Sequence, residues 1–242
     1  MEAWVWGLFD QRIGLNQIKK DWLILGYGAK WFGGKTFYED VFTNRGWEDD
    51  ALLRNIWRLM DEADIIVTQN GKRFDVRKIN SRFLMLGMQP PRPFKQVDTK
   101  VEAARLAMNT SNKLEYLAPN IAKSFKDKHE KYPGFMLWKE CLEGNSDAWA
   151  DMRTYCMQDV ESTEALYLAL RPWIVGHPNV AMYYNDDAMR CPKCGSKELE
   201  EVGDVYTQTY RYKQYRCMDC GGFARGRKSV RNVSKTNNVL VN

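Results

Sequence analysis

Residues 63 to 75 read Ala-Asp-Ile-Ile-Val-Thr-Gln-Asn-Gly-Lys-Arg-Phe-Asp, and the fold follows from how this stretch divides. The branched run Ile65-Ile66-Val67 has the length and composition of a strand covered on both faces, and Asn70-Gly71 marks a turn directly after it. From Asp75 onward the apolar positions Val76, Ile79, Phe83, Leu84 and Leu86 recur at helical spacing, until Gly87 and Pro90-Pro91 stop them. Strand, turn and helix make half of a parallel unit, and open α/β sheets place their sites at strand carboxyl ends. Asp75 stands at such an end, either as a metal-binding acid or as an acid that serves only the helix N-terminus.

Upstream, Trp22–Phe32 predicts a strand, Gly33-Gly34 a turn, and Thr36–Phe42 a second strand, so the pair forms a hairpin. Glu48, Asp49 and Asp50 suit the first turn of a helix whose apolar face is Leu52, Leu53, Ile56, Leu59 and Met60. Residues 2–9 are apolar for a chain end and require a cover. Downstream, Phe94–Thr99 predicts a short strand, and Asp98 at its end is read as the cap of a helix over Val101–Met108. Residues 109–134 are polar and basic and carry no legible period beyond a short helix around Leu114 and Leu117. The longest helical pattern, Asp147–Leu170, ends at Pro172. Within it Tyr155 and Asp159 lie one turn apart on the same face, beside the apolar stripe Met152, Cys156, Val160 and Thr163.

The chain has 242 residues, enough for one full domain and a small appendage, and 44% hydrophobic residues argue for a packed globule. Its charge of +5 is unevenly placed. Residues 205–242 hold eight Lys or Arg against the single acid Asp219, so they carry +7 and residues 1–204 carry −2. A local basic excess of this kind suits a nucleic-acid contact. No stretch reaches the roughly 20 apolar residues of a membrane span, and the amino terminus has no signal-peptide pattern, so a cytoplasmic protein without a membrane partner is expected.

Cys191-Pro-Lys-Cys194-Gly and Cys217-Met-Asp-Cys220-Gly-Gly are two Cys-x-x-Cys knuckles. Four thiolates in this pattern match a tetrahedral structural zinc site with no open coordination position, and Gly195 and Gly221 ease the turns around the ion. Between the knuckles Val202–Tyr215 alternates as a hairpin does, and the module is too small to fold on its own core without the metal. Tyr212, Lys213, Arg225 and Arg227 interleave charge and aromatic rings as a nucleic-acid surface would, although a protein-docking role fits the same pattern. Cys141 and Cys156 are expected to be bystander thiols.

The motifs Asn70-x-x-x-Phe74-Asp75, Asp98-Thr99 and Tyr155-x-x-x-Asp159, in this order, resemble the DEDD superfamily of 3′ to 5′ exonucleases, nearest the subgroup with tyrosine in its last motif. Trp-Gly-Leu-Phe-Asp near the start and the appended cysteine module are similar to exonuclease-like proteins of bacteriophages, for which the location would be the host cytoplasm. The resemblance implies an RNase H-like mixed sheet flanked by helices over residues 1–173, a linker at 174–190, a zinc ribbon at 191–224 and a basic tail at 225–242. It also implies two Mg2+ or Mn2+ ions held by carboxylates, with Asp75 and Asp159 as ligands, Tyr155 orienting the attacking water, and Asn70 beside the nucleic acid.

One element of the resemblance is missing. The first strand, with its Asp-x-Glu motif and two of the four ligands, does not occur in this sequence. Glu2 and Asp10 lack that spacing, and residues 3–9 could enter the gap but bring no carboxylate pair. Either the sequence starts downstream of the motif or the chain is a relative that has lost it. The expected activity is therefore a 3′ to 5′ exonuclease, with DNA favoured as substrate, impaired in this chain. The alternative is an inactive nucleic-acid-binding protein that assists replication or recombination. A zinc-ribbon transcription factor would leave the spaced acids unexplained.

Overall fold

The computed structural model describes residues 2–3, 14–42, 48–124 and 131–230. Residues 4–9, for which the sequence demands a cover, lie outside the described residues, as do Asp10, Arg231 and Lys235.

Strand β1 (Glu2–Ala3) pairs antiparallel with β2 (Ile18–Lys20). The expected hairpin is β3 (Gly26–Ala29) with β4 (Phe37–Asp40), in register from Gly26↔Asp40 to Ala29↔Phe37. It is shorter than the apolar pattern suggested because the chain leaves the ladder before Gly26. There the Ile24 amide donates to Asp49, 2.9 Å away, instead of to a strand. Helix α1 (Asp50–Glu62) buries Leu52, Leu53, Ile56 and Met60. Asp49, read as one of three first-turn acids, is wholly buried and takes Arg82 as a partner, with Nε 2.9 Å from its carboxylate.

Strand β5 (Ile65–Thr68) leads into α2 (Asp75–Met85), which Gly87 terminates with φ 65°. β6 (Lys95–Asp98) runs parallel to β5, from Ile65↔Lys95 to Thr68↔Asp98, and continues directly into α3 (Thr99–Leu106). After the short α4 (Leu114–Leu117) comes α5 (Met136–Leu142), which the sequence did not reveal. Seven residues are too few for a period to be read, and only packing exposes the logic: Leu137 and Cys141, four apart, are both fully buried. Helix α6 (Ser146–Leu170) starts at an Asn145 cap and spans the molecule's two main cores.

The faces of β5 divide as its branched composition requires. Ile65 and Val67 pack toward the cluster of Val97, Leu117 and Leu166, whereas Ile66 packs toward Leu53, Ile56 and Met60. Its edge is different. Among the described residues β3 pairs only with β4, and β5 only with β6. A cleft of about 1220 Å³ is lined by all of β3 and all of β5, with α1 and α2 on one side and α6 on the other. Gly28 sits so close to α6 that a Cβ there would lie 3.0 Å from the Cys156 carbonyl oxygen, which sets how deeply β3 beds on that helix.

The carboxyl-terminal module is a three-stranded antiparallel sheet, β7 (Leu199–Tyr206), β8 (Arg211–Cys217) and β9 (Phe223–Ser229). The expected hairpin is present as β7 and β8. The third strand corrects the basic tail drawn from 225: Arg225, Arg227 and Lys228 belong to the sheet. The segment before it is packed, not loose. Ile174 is buried in the α6 core, the Val180 amide donates to the Pro192 carbonyl, and Lys193 donates to the Pro172 carbonyl. No helix among the described residues is long and apolar enough to cross a membrane.

Candidate active site and cysteine metal centre

The turn between β5 and α2 is held from below by Asp98. Its carboxylate, 1% exposed, accepts from the amides of Asn70 (2.9 Å), Lys72 (3.1 Å), Lys100 (3.1 Å) and Val101 (3.4 Å). It caps α3, as its place at a strand end suggested, and the same side chain also clamps the neighbouring turn, which sequence reasoning missed. The available signal was Asp98-Thr99 itself, since Thr99 Oγ1 donates to the Thr68 carbonyl at 3.0 Å and ties the two strand ends together. Asn70 adopts φ 69°, a left-handed conformation that asparagine tolerates, and a Cβ on Gly71 would come within 2.6 Å of the Thr68 side chain. The turn is thus fixed by residue type as well as by hydrogen bonds.

Asp75 is the first residue of α2. The cap position belongs to Phe74, and no side chain caps the helix. The carboxylate reaches solvent in the cleft yet is crowded by protein, and this desolvation raises its pKa, with the Asp98 charge adding to the effect. Asp159, half-buried on α6, lines the same cleft, as does Asn70. Asp75, Asp159 and Asn70 thus line one cleft. Tyr155 packs edge-on against Trp138, which lines the cleft, with ring centroids 6.2 Å apart.

Two carboxylates do not make a two-ion site. Among the described residues the four cysteines are the one group of three or more His, Cys, Asp or Glu side chains close enough to share a metal ion. A pair of divalent ions would need further oxygen ligands beside Asp75 and Asp159.

The cysteine cluster is complete. Sγ of Cys191 lies 3.7 Å from that of Cys220, and Sγ of Cys194 lies 3.5 Å from that of Cys217, with all four within 4.8 Å of one another. Tetrahedral zinc with arms of about 2.3 Å sets neighbouring sulfurs about 3.8 Å apart. Gly195 and Gly221 follow the knuckles with φ 79° and 74°, and their amides return to the carbonyls of Cys191 and Cys217 at 2.9 Å. Burial pushes the Cys194 and Cys220 thiols up, whereas at Cys217 the nearby backbone amides outweigh burial and bring the pKa to about 7. A cation at the centre would relieve this crowding. Burial pushes the remaining buried thiol, Cys141, up to about 11, which leaves it unreactive.

A model of the RNase H superfamily matches residues 14–171, the whole span from the first described loop to the end of α6. The chain belongs to the RNase H superfamily. Searches of curated proteins and of solved structures return no match. Superfamily membership gives the mixed α/β domain a nuclease-type function on nucleic acid, and RNase H-like domains usually work with divalent metal ions. The carboxyl-terminal cysteines lie outside the matched span, in a module that could hold a metal ion of its own.

The four side chains of this module expected to touch nucleic acid, Tyr212, Lys213, Arg225 and Arg227, fall into two environments. Arg225 and Arg227 are exposed, and the Arg225 guanidinium lies 4.1 Å from the Tyr212 ring centroid. Lys213, in contrast, is held by Glu201 at 2.6 Å and Asp204 at 3.7 Å.

Proposed function

We propose that this RNase H superfamily protein is a 3′ to 5′ exonuclease, acting on DNA, with an incomplete metal site in the residues of this chain. The observation that carries the reading is the meeting of Asp75 from α2 and Asp159 from α6 in one cleft at the β5 carboxyl end, beside the Asn70 turn. In this reading Asp75 and Asp159 are metal ligands and Tyr155, beside Trp138, orients the attacking water. The cysteine module holds one structural zinc ion and grips the substrate. In this reading a further strand beside β3 or β5, which among the described residues pair only with β4 and β6, would bring additional carboxylates to Asp75 and Asp159.

Degradation of 3′-labelled single-stranded DNA with Mg2+ or Mn2+ tests the reading. The expected result is weak hydrolysis by the chain, abolished by Asp75→Ala. Strong hydrolysis is expected from a version with an apolar strand bearing Asp-x-Glu fused ahead of Met1. Robust hydrolysis by the chain alone would refute the incompleteness, and an inactive fusion would refute the exonuclease assignment. That no three carboxylates among the described residues cluster closely enough to share an ion favours one second reading, a nucleic-acid-binding protein without hydrolysis. Tight DNA binding by both versions with no cleavage by either would establish it.

A further inference from the structure

The three-stranded sheet of the cysteine module has two chemically different faces. Along β8 alternate residues point to opposite sides, and directly paired neighbours share a side. One face carries Lys213, Arg211, Glu201 and Asp204. Its cations are neutralised where they stand, with Lys213 on Glu201 and Arg211 3.4 Å from Asp204. The other face carries Tyr212, Gln214 and Arg216 of β8 with Arg225 and Phe223 of β9 in register. Here each guanidinium lies over a ring instead of a carboxylate: Arg225 is 4.1 Å from the Tyr212 centroid and Arg216 is 5.9 Å from that of Phe223. Glu200 stands opposite Arg216 on this face, yet among the described residues Arg216, Arg225, Arg227 and Lys228 have no ion-pair partner.

Phe223 is 53% exposed, so its ring is open to a stacking partner. The two cation–ring pairs lie four residues apart on β8, roughly 13 Å at about 3.3 Å per residue. Each offers a flat surface for a base and a fixed positive charge for the neighbouring phosphate. Duplex DNA keeps its bases stacked on one another and could use only the charges. We infer that the Tyr212–Arg225 and Arg216–Phe223 face is a stacking platform for single-stranded nucleic acid, whereas Lys213 belongs to the internally neutralised face and takes no part. The inference rests on the reading of the protein as a nucleic-acid enzyme and adds the strandedness and the face of the contact.

Fluorescence anisotropy with a labelled oligo-thymidine of about 15 nucleotides, on zinc-loaded protein without added magnesium, tests it. Phe223→Leu and Arg225→Ala should each weaken binding about tenfold, Arg225→Lys should recover only part of the loss, and Lys213→Ala should change it less than about twofold. The matching duplex should bind more weakly and lose little with Phe223→Leu. Metal content equal to wild type excludes unfolding of the module. Equal losses from Lys213→Ala and Arg225→Ala, or duplex binding as tight and as sensitive to Phe223→Leu, would overturn the platform. If the unaltered protein bound no oligonucleotide at all, the nucleic-acid reading itself would fall, a result distinct from binding that ignores this face.

Discussion

The cysteine module and the acidic cleft are both candidate metal centres, but only one is self-contained. The module draws its four sulfurs from two tight knuckles between Cys191 and Cys220, each turned by a glycine in left-handed conformation. The cleft draws Asp75 and Asp159 from helices 84 residues apart in sequence, and two carboxylates are all that these motifs supply. A site built from local turns survives intact whatever happens elsewhere in the chain. A site assembled across a sheet depends on every strand of that sheet, and here β3 and β5 line one cleft while, among the described residues, each pairs with a single neighbour.

The largest effect expected is at the module. Cys217→Ser, or strong chelation, should unfold β7 to β9 while the α6 core keeps its helical signal, because metal binding in so small a unit is its folding free energy, on the order of 10 kcal/mol. Hydrogen exchange resolved by residue, with metal analysis, would show it. A module still protected after metal loss would remove the contrast between the two sites.

Next in size is Asp98→Ala. Removing a buried carboxylate that serves four amides should cost about 2–3 kcal/mol in urea unfolding and loosen the Asn70 turn. A neutral outcome would mean that the cleft does not depend on this clamp.

A smaller effect of opposite sign is expected at Asp75. Its pKa is raised above the ordinary 3.8 by desolvation and then by Asp98, so the folded state holds its proton more tightly than the unfolded state. The stability contributed by this group is complete below the unfolded pKa and is lost as pH rises through the folded one. Asp75→Asn should therefore raise the melting temperature at pH 7 without divalent ions, and the advantage should vanish near pH 3. Added Mg2+ should narrow the difference if Asp75 meets a cation. Equal melting temperatures at both pH values would show that the carboxylate bears no such strain.

The smallest expected effect lies at the junction of the two regions. His177 donates through Nδ1 to the Pro178 carbonyl at 2.7 Å, and its Nε2 lies 2.9 Å from the Tyr167 hydroxyl. Burial lowers its pKa and the nearby Arg171 and Lys193 lower it further, against the opposing pull of the Pro178 carbonyl and Glu102. Its contribution is complete above about pH 6.5 and is lost as pH falls through the folded pKa. Thermal melts between pH 7 and 5 should show a modest loss of stability that His177→Gln removes.

Much of the architecture could be read in advance, and the exceptions share a cause. Ile65-Ile66-Val67, the periodic residues of α2 and α6 and the paired knuckles each carry their signal within a few turns of chain. α5 did not, because seven residues hold too little pattern. Nor did the full role of Asp98, whose cap of α3 was visible as a strand-end acid but whose clamp on the Asn70 turn requires two parallel strands to end side by side. Asp49 looked like one of three interchangeable first-turn acids until folding buried it against Arg82 and the Ile24 amide. The contact of Tyr155, one turn from Asp159 on the helix, with Trp138 of α5 was likewise invisible, because α5 itself was.

By itself the sequence determined the strand–turn–helix unit at 63–75, the long helix bearing Asp159 and the four-cysteine centre, because hydrophobic period, turn chemistry and ligand spacing are local properties. Only the tertiary structure decided that Asp75 and Asp159 line one cleft, that among the described residues β3 pairs only with β4 and β5 only with β6, and that the charges of the cysteine module sort onto two unlike faces. Those outcomes depend on which distant segments pack together and on what each side chain then finds across the gap.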